Sequence, residues 1–310
     1  MTEYLPEGYL IDTVKNKAFL SSFENLDAAM KNRNVLEAKV VLCTAAHDLI
    51  VDLGCMRGII PREEGAIGIE SGETKDIAII SRVNKPVCFF ITAFDKDRSG
   101  RKIAVCSRKA VQEECRANFL DKLVPGDIIP AVVTHMESFG CFADIGCGIS
   151  SLLPIDSISV SRIGHPSDRF KNGQRIFAAV SGRDSFGRIC LSHKELLGTW
   201  EQNAENFSPG ETVSGIIRSV EDYGVFVELA PNLAGLAEPC NHLVPGQQAS
   251  VYIKSLIPDK MKIKLIIVDV FDEETMPSAF EYYITKGHLD FWQYSPLSSP
   301  KTVFTDFRNE

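Results

Sequence analysis

Along much of the chain, apolar and polar residues alternate one by one in runs of five to eight, and each run stops at Gly, Pro, Asn or Asp. A period of two bounded by turn residues marks short antiparallel strands, each with one face buried. Between residues 123 and 195 the alternation predicts five strands, at roughly 127–136, 139–146, 149–153, 174–182 and 187–192. Five strands are too few for a sandwich and enough for a closed barrel. The period turns helical at two places. Ser192-His193-Lys194-Glu195 forms a capping box ahead of Leu196, Leu197 and Trp200, and Ser107 opens a run through Cys115, Phe119 and Leu120. Short helical linkers are therefore expected between barrels.

The pattern repeats along the chain. Leu123-Val124-Pro125-Gly126 aligns with Phe207-Ser208-Pro209-Gly210, and the same offset of 84 places Phe139-Gly140 on Tyr223-Gly224, Phe142 on Phe226 and Leu152 on Leu236. Further on, Asn172-Gly173-Gln174 falls on Pro245-Gly246-Gln247, so the later copy has lost about eleven residues from one loop, where deletion is tolerated. A fainter copy lies upstream, where Ile50-Val51-Asp52-Leu53-Gly54 matches Phe142-Ala143-Asp144-Ile145-Gly146. The expected fold is all-β with short helical linkers: three tandem five-stranded barrels. The divisions are an N-terminal extension (1–35), a degenerate barrel (36–110), a helical linker (111–122), a barrel (123–195), a second helical linker (196–207), a third barrel (208–270) and a C-terminal tail (271–310). A chain of 310 residues that is 45% apolar supplies a core for each.

Composition then narrows the function. A formal charge of −8 opposes a generally basic nucleic-acid glove, so any phosphate-binding surface must be local. Nine cysteines without a single C-x-x-C pair argue against a disulfide framework and a zinc ribbon, and point to reduced, mostly buried thiols. Cys43 and His47 form a C-x-x-x-H without further ligands nearby, so no metal is expected. The opening Met-Thr-Glu-Tyr lacks a basic, apolar leader and no transmembrane stretch follows, so the expectation is a soluble, cytoplasmic protein with no membrane partner. No Gly-rich phosphate loop, H-E-x-x-H or G-x-S-x-G occurs, and the chain is read as no enzyme and without a cofactor.

The candidate chemistry sits at the start of the second strand of the later two barrels. In Phe226-Val227-Glu228-Leu229, strand parity sends Val227 and Leu229 to one face and puts Phe226 beside Glu228 on the other, expected to be wet. Phe142 shares a face with Asp144 in the same way, and Gly140 and Gly224 permit a bend that brings Phe139 and Tyr223 to the same side. One exposed aromatic needs no explanation, but a pair in two copies suggests a platform that stacks unpaired bases. Arg183, Asp184 and Arg188 surround the turn into the middle barrel's fifth strand, and Lys254, Lys260, Lys262 and Lys264 crowd the equivalent stretch of the third. The cations among them are candidates for tracking phosphates. His135 is given no role.

From Val124 to Lys194 the chain resembles the S1 RNA-binding domain, an OB-fold module, through P-G-D-I, F-G-C-F-A-D-I-G, S-L-L-P, G-Q-R-I and D-S-F-G-R-I-C-L-S-H-K. Residues 208–266 resemble it through P-G, Y-G-V-F-V-E-L, A-G-L-A and K-I-K-L, and residues 36–109 faintly. Three such units without a catalytic domain look like a short member of the ribosomal protein S1 family. The resemblance implies RNA contacts at Phe139, Phe142, Asp184 and Arg188, and at Tyr223 and Phe226. It also exposes departures. The family's His after the third-strand apolar pair is Pro61, Pro154 and Glu238 in the three units, Ile257 stands where its Asp belongs in the third, and Lys262 replaces Arg. Glu238 repels phosphate, making the third unit the weaker binder unless its lysines compensate. In the first unit His47 and Ile50 occupy the aromatic positions, so the platform is missing while inward Val51 and Leu53 remain. The family's N-terminal part docks to the small ribosomal subunit, which makes residues 1–110 a candidate protein-binding region. The expected function is single-stranded RNA (mRNA) binding in translation. The alternatives are a free-standing RNA regulator or RNA-turnover accessory, and a protein-interaction scaffold that has lost RNA.

Overall fold

A computed structural model describes residues 4–97, 99–240, 242–271 and 280–308. The chain divides into two compact units: residues 1–123 with 130–132 and 144–150, and residues 124–129, 133–143 and 151–310. Helices α1 (Val14–Leu20) and α2 (Phe23–Lys31) precede β1 (Leu36–Cys43), β2 (Leu49–Asp52), β3 (Arg57–Ile60), the short α3 (Ile77–Ile80), β4 (Pro86–Lys96) and β5 (Lys102–Ser107). Helix α4 (Arg108–Asn118) leads to β6 (Ile128–Glu137), β7 (Gly140–Asp144), β8 (Ser150–Pro154), β9 (Arg175–Arg183) and β10 (Ile189–Ser192). Helix α5 (Trp200–Ala204) is followed by β11 (Thr212–Glu221), β12 (Gly224–Ala230), β13 (Leu233–Ala237), β14 (Gln248–Ile257) and β15 (Lys262–Phe271), with the tail strands β16 (Phe291–Gln293) and β17 (Phe304–Asp306) at the end.

The strands close into three five-stranded barrels of one topology. Counting strands within each barrel, the neighbour order is first, second, third, fifth, fourth, and the third and fifth strands run parallel. The closed five-stranded barrels expected from the alternating pattern thus have the OB-fold arrangement that the S1 resemblance implies. Alternation supplies the cores. Ile129, Ala131 and Val133 on β6 and Ala249, Val251 and Ile253 on β14 are buried, with intervening residues more exposed. The degenerate first barrel keeps its core, with Val51 and Leu53 completely buried. Ser107 caps α4 and Thr199 forms a capping box with Gln202 at α5, which explains where these helices begin.

The first unit also buries charge. Arg108 is 2% exposed and forks onto the Glu7 carboxylate, Nε to Oε1 at 2.6 Å and Nη2 to Oε2 at 3.0 Å, while Nη1 donates to the Gly65 carbonyl. Arg82 adds a contact to Glu7 at 3.3 Å, and the Cys88 amide donates to the same carboxylate. Gly148 is required beside this pair, because a Cβ there would sit 1.8 Å from Arg108 Nη2. Glu37 is buried and accepts amides from Gly8, Leu10 and Ile11, which ties the N-terminal segment to β1.

In the second unit the tail is bound to the barrels it follows. Its acidic beginning, 272–279, lies outside the described residues. From Gly287 it runs along the start of β6: the Ile128 amide donates to the Gly287 carbonyl at 3.0 Å, and the Leu289 amide to the Gly126 carbonyl at 2.9 Å. His288 meets Asp127, and the Tyr294 hydroxyl donates to the Asn232 carbonyl at 2.6 Å. Gly126 has φ +92°, and a Cβ there would lie 2.1 Å from the Leu289 carbonyl oxygen. Gly126→Ala is therefore expected to lift residues 287–289 off β6 at a cost above ~1 kcal/mol, read as faster proteolytic cleavage in the tail.

No disulfide joins two cysteines among the described residues. Cys88, Cys106, Cys115, Cys141 and Cys147 are buried, Cys43 and Cys190 are half-buried, and Cys55 and Cys240 are exposed. Among the described residues no group of three His, Cys, Asp or Glu side chains is arranged to hold a metal ion, and no helix is long and apolar enough to cross a membrane.

Candidate nucleic-acid interface

The two aromatic pairs have one geometry. Phe139 and Phe142 have ring centroids 6.2 Å apart with planes at 86°, and Tyr223 and Phe226 repeat this at 6.2 Å and 87°. In both barrels the first ring is exposed, Phe139 at 55% and Tyr223 at 66%, while the second is half-buried. The glycine after the first ring makes the pair possible. A Cβ at Gly140 would stand 2.5 Å from the Leu153 carbonyl oxygen, and one at Gly224 2.5 Å from that of Ala237. At these points the backbone presses onto the neighbouring strand and turns the preceding aromatic outward.

The face is less wet than parity predicts. Glu228, beside Phe226 by alternation, is 5% exposed and bonded to two guanidiniums: Arg218 Nε at 2.9 Å and Nη2 at 3.1 Å, and Arg169, from the loop between β8 and β9. Asp144 is likewise buried and accepts the amides of Glu7, Gly146 and Gly148. Loop and terminal segments cover these carboxylates, so the exposed part of each face is confined to the aromatic end.

In the third barrel the candidate residues converge. A groove of about 600 Å³ is lined by Tyr223, Phe226, Lys254, Lys262 and Lys264, together with Glu238 and Met261. Strand register explains the convergence: Phe226 is opposite Leu236, and Leu236 is opposite Lys264 across the parallel β13–β15 pair. Lys262 opposes Ile257 at the end of β14. Lys260 is exposed outside that lining.

In the middle barrel the charged residues organise a turn. Asp184 accepts amides from Phe186 and Arg188, and its Oδ2 takes Arg188 Nε at 2.7 Å. The Arg188 amide chiefly, with its guanidinium, holds the Asp184 carboxyl below its ordinary range. Arg183 donates to the Gly187 carbonyl. The structure thus pairs Asp184 with Arg188 and bonds Arg183 to the Gly187 carbonyl of the same turn. Two aromatic groups add to the candidates. His135 lies nearly parallel to Phe142, centroids 6.4 Å apart at 18°, and Phe186 is 81% exposed with the Arg188 guanidinium 5.1 Å from its ring centre. The signal for Phe186 was a Phe inside a D-x-F-G turn, where no core is within reach. For His135 it was only strand parity.

Three closed barrels of one topology, two with matching aromatic pairs, define a tandem OB-fold protein. Residues 122–194 match the family model described as the S1 RNA binding domain. Over 300 residues the chain is 29% identical to the small ribosomal subunit protein bS1 homolog of Bacillus subtilis, covering 91% of this chain and 73% of that protein. It is 28% identical over 270 residues to bS1 of Staphylococcus haemolyticus, covering 82% of this chain and 66% of that one. Among solved structures, a multidomain protein with nucleic acid binding domains from Streptococcus pneumoniae aligns at 14% identity, covering 76% of this chain and 73% of that one, with a TM-score of 0.25, too low to bear on the fold. The chain is similar to the bS1 proteins over most of its length, and its middle barrel matches the S1 RNA binding domain.

Proposed function

We propose that this protein binds single-stranded RNA in translation, in the manner of the bS1 proteins it is similar to, through the aromatic faces of its middle and third barrels. The observation that carries the reading is the duplicated ring pair, at one spacing and one angle in both barrels. A half-buried ring fixed by its neighbours beside an exposed ring set at right angles offers a base one face to stack on and one edge to abut. Such stacking contributes ~1–3 kcal/mol per base and tolerates sequence. Lys254, Lys262 and Lys264 beside the second pair add phosphate attraction within a chain of net negative charge. The protein acts by binding rather than catalysis. Residues 1–110, whose barrel has His47 and Ile50 in place of the aromatics, serve as the contact to the small ribosomal subunit.

The test is binding of a fluorescent single-stranded RNA of about 12 nucleotides, within the span of one OB-fold, across a salt series. Affinity is expected to fall as salt rises, and to fall by roughly 2 kcal/mol in a folded Phe139→Ala/Phe142→Ala variant. An unchanged double variant overturns the role of the middle barrel, and no binding by the wild type makes the chain a protein scaffold.

A further inference from the structure

Glu238 is the one acidic side chain lining the groove of the third barrel. It is exposed, and among the described residues it makes no hydrogen bond or ion pair, although three lysines line the same groove. The register that sets Val225 opposite Ala237, continued by one residue, places Glu238 opposite Gly224, between the positions that carry Tyr223 and Phe226. The middle barrel has Pro154 at the corresponding position and so has no carboxylate there.

A carboxylate beside a stacking platform meets the edge of a stacked base, and an ionised carboxylate only accepts hydrogen bonds. The Watson–Crick edges of the four bases differ in what they offer it. Guanine alone presents two adjacent donors, N1–H and the N2 amino group, which match the two oxygens of one carboxylate. Uracil has one donor between two carbonyl acceptors. Adenine and cytosine each set an amino group next to a bare ring nitrogen that repels the second oxygen. Base edges of unstacked RNA are read in this way. Resting on the RNA-binding reading, we propose that Glu238 makes the third barrel selective for guanine, while the middle barrel stacks bases without selection. The residue that weakens phosphate attraction is then the source of specificity.

The experiment uses the full chain carrying Phe139→Ala/Phe142→Ala, so that the third barrel dominates, and three fluorescent oligoribonucleotides of about nine residues: all uridine, uridine with a central guanosine, and uridine with a central inosine, which lacks the N2 amino group. A bidentate contact predicts that the guanosine oligonucleotide binds about tenfold more tightly than the all-uridine one, with inosine in between. Glu238→Gln is expected to abolish that preference while raising affinity for all-uridine RNA, because a negative charge leaves the groove. If Glu238→Gln tightens all three equally and leaves the preference intact, the carboxylate is only a repulsive charge and the proposal is overturned. Equal affinities in the parent chain overturn the selectivity alone. Loss of all binding in that chain, with Tyr223 and Phe226 intact, overturns the RNA role of the third barrel and the proposal with it.

Discussion

Arg108→Met is expected to lower the stability of the first unit by about 3–5 kcal/mol. The methionine fills much of the same space, so the loss is electrostatic. Glu7, 7% exposed, would lose its paired guanidinium and, among the described residues, retain Arg82, at 3.3 Å, and the Cys88 amide as partners. Glu7→Gln fails from the other side, leaving the buried Arg108 guanidinium without its bonded carboxylate and with Asp144 as its remaining acidic neighbour. Removing both charges, as Glu7→Leu with Arg108→Met, is expected to cost less than the sum of the single changes, because neither residue is then stranded. Calorimetry is the appropriate measurement, since both tryptophans, Trp200 and Trp292, lie in the second unit and their fluorescence is blind to this one. Additive costs in the double variant would show that the two residues act separately.

Acid is expected to weaken the second unit through His193. The ring is completely buried, donates from Nδ1 to the Ile158 carbonyl at 2.8 Å and accepts from the Tyr282 hydroxyl at Nε2, 2.9 Å away. Phe170, Phe280 and Tyr282 surround it. Burial, opposed by the Ile158 carbonyl and reinforced by the nearby Arg169, lowers its pKa from 6.5 to about 4. Above pH 6.5 the ring is neutral in folded and unfolded chains alike, and the full stability is present. As pH falls from 6.5 towards 4 the unfolded chain takes up a proton that the folded one refuses, and stability is lost, by about 3 kcal/mol over the window. Urea unfolding followed by tryptophan fluorescence should show the midpoint dropping through this range. In His193→Gln the midpoint should start lower and vary less with pH, and an unaltered slope would assign the acid sensitivity to other groups.

The strands were legible because the barrels are built from local alternation. Val51 and Leu53, Ile129 and Val133, and Val251 and Ile253 all point inward where a period of two puts them. The turn at Asp184 and the aromatic–glycine steps at 139–140 and 223–224 were local as well. What escaped the sequence depends on segments far apart in the chain. Glu228 and Asp144 carry the alternation of an exposed face, yet Arg169 closes over one and the Glu7 amide over the other, and no local pattern announces contacts across 59 or 137 residues. The grouping of Lys254, Lys262, Lys264 and Glu238 about one groove arises from parallel pairing of β13 with β15, which periodicity within either strand does not specify. The docking of the tail is not written in its sequence, because its anchors are backbone bonds to residues 126–128 and scattered side-chain bonds, such as His288 to Asp127 and the Tyr282 and Tyr294 hydroxyls to His193 and Asn232, that follow no local pattern.

The uneven exposure of the nine thiols gives the protein two natural points of attachment. A maleimide dye added to the native chain should react first at Cys55, in the first unit, and at Cys240, which follows Pro239 of the groove lining in the second. With Cys55→Ser in place, a fluorophore on Cys240 would brighten or dim as the groove fills. With both thiols labelled as a donor–acceptor pair, energy transfer would report whether adding RNA changes the distance between Cys55 and Cys240.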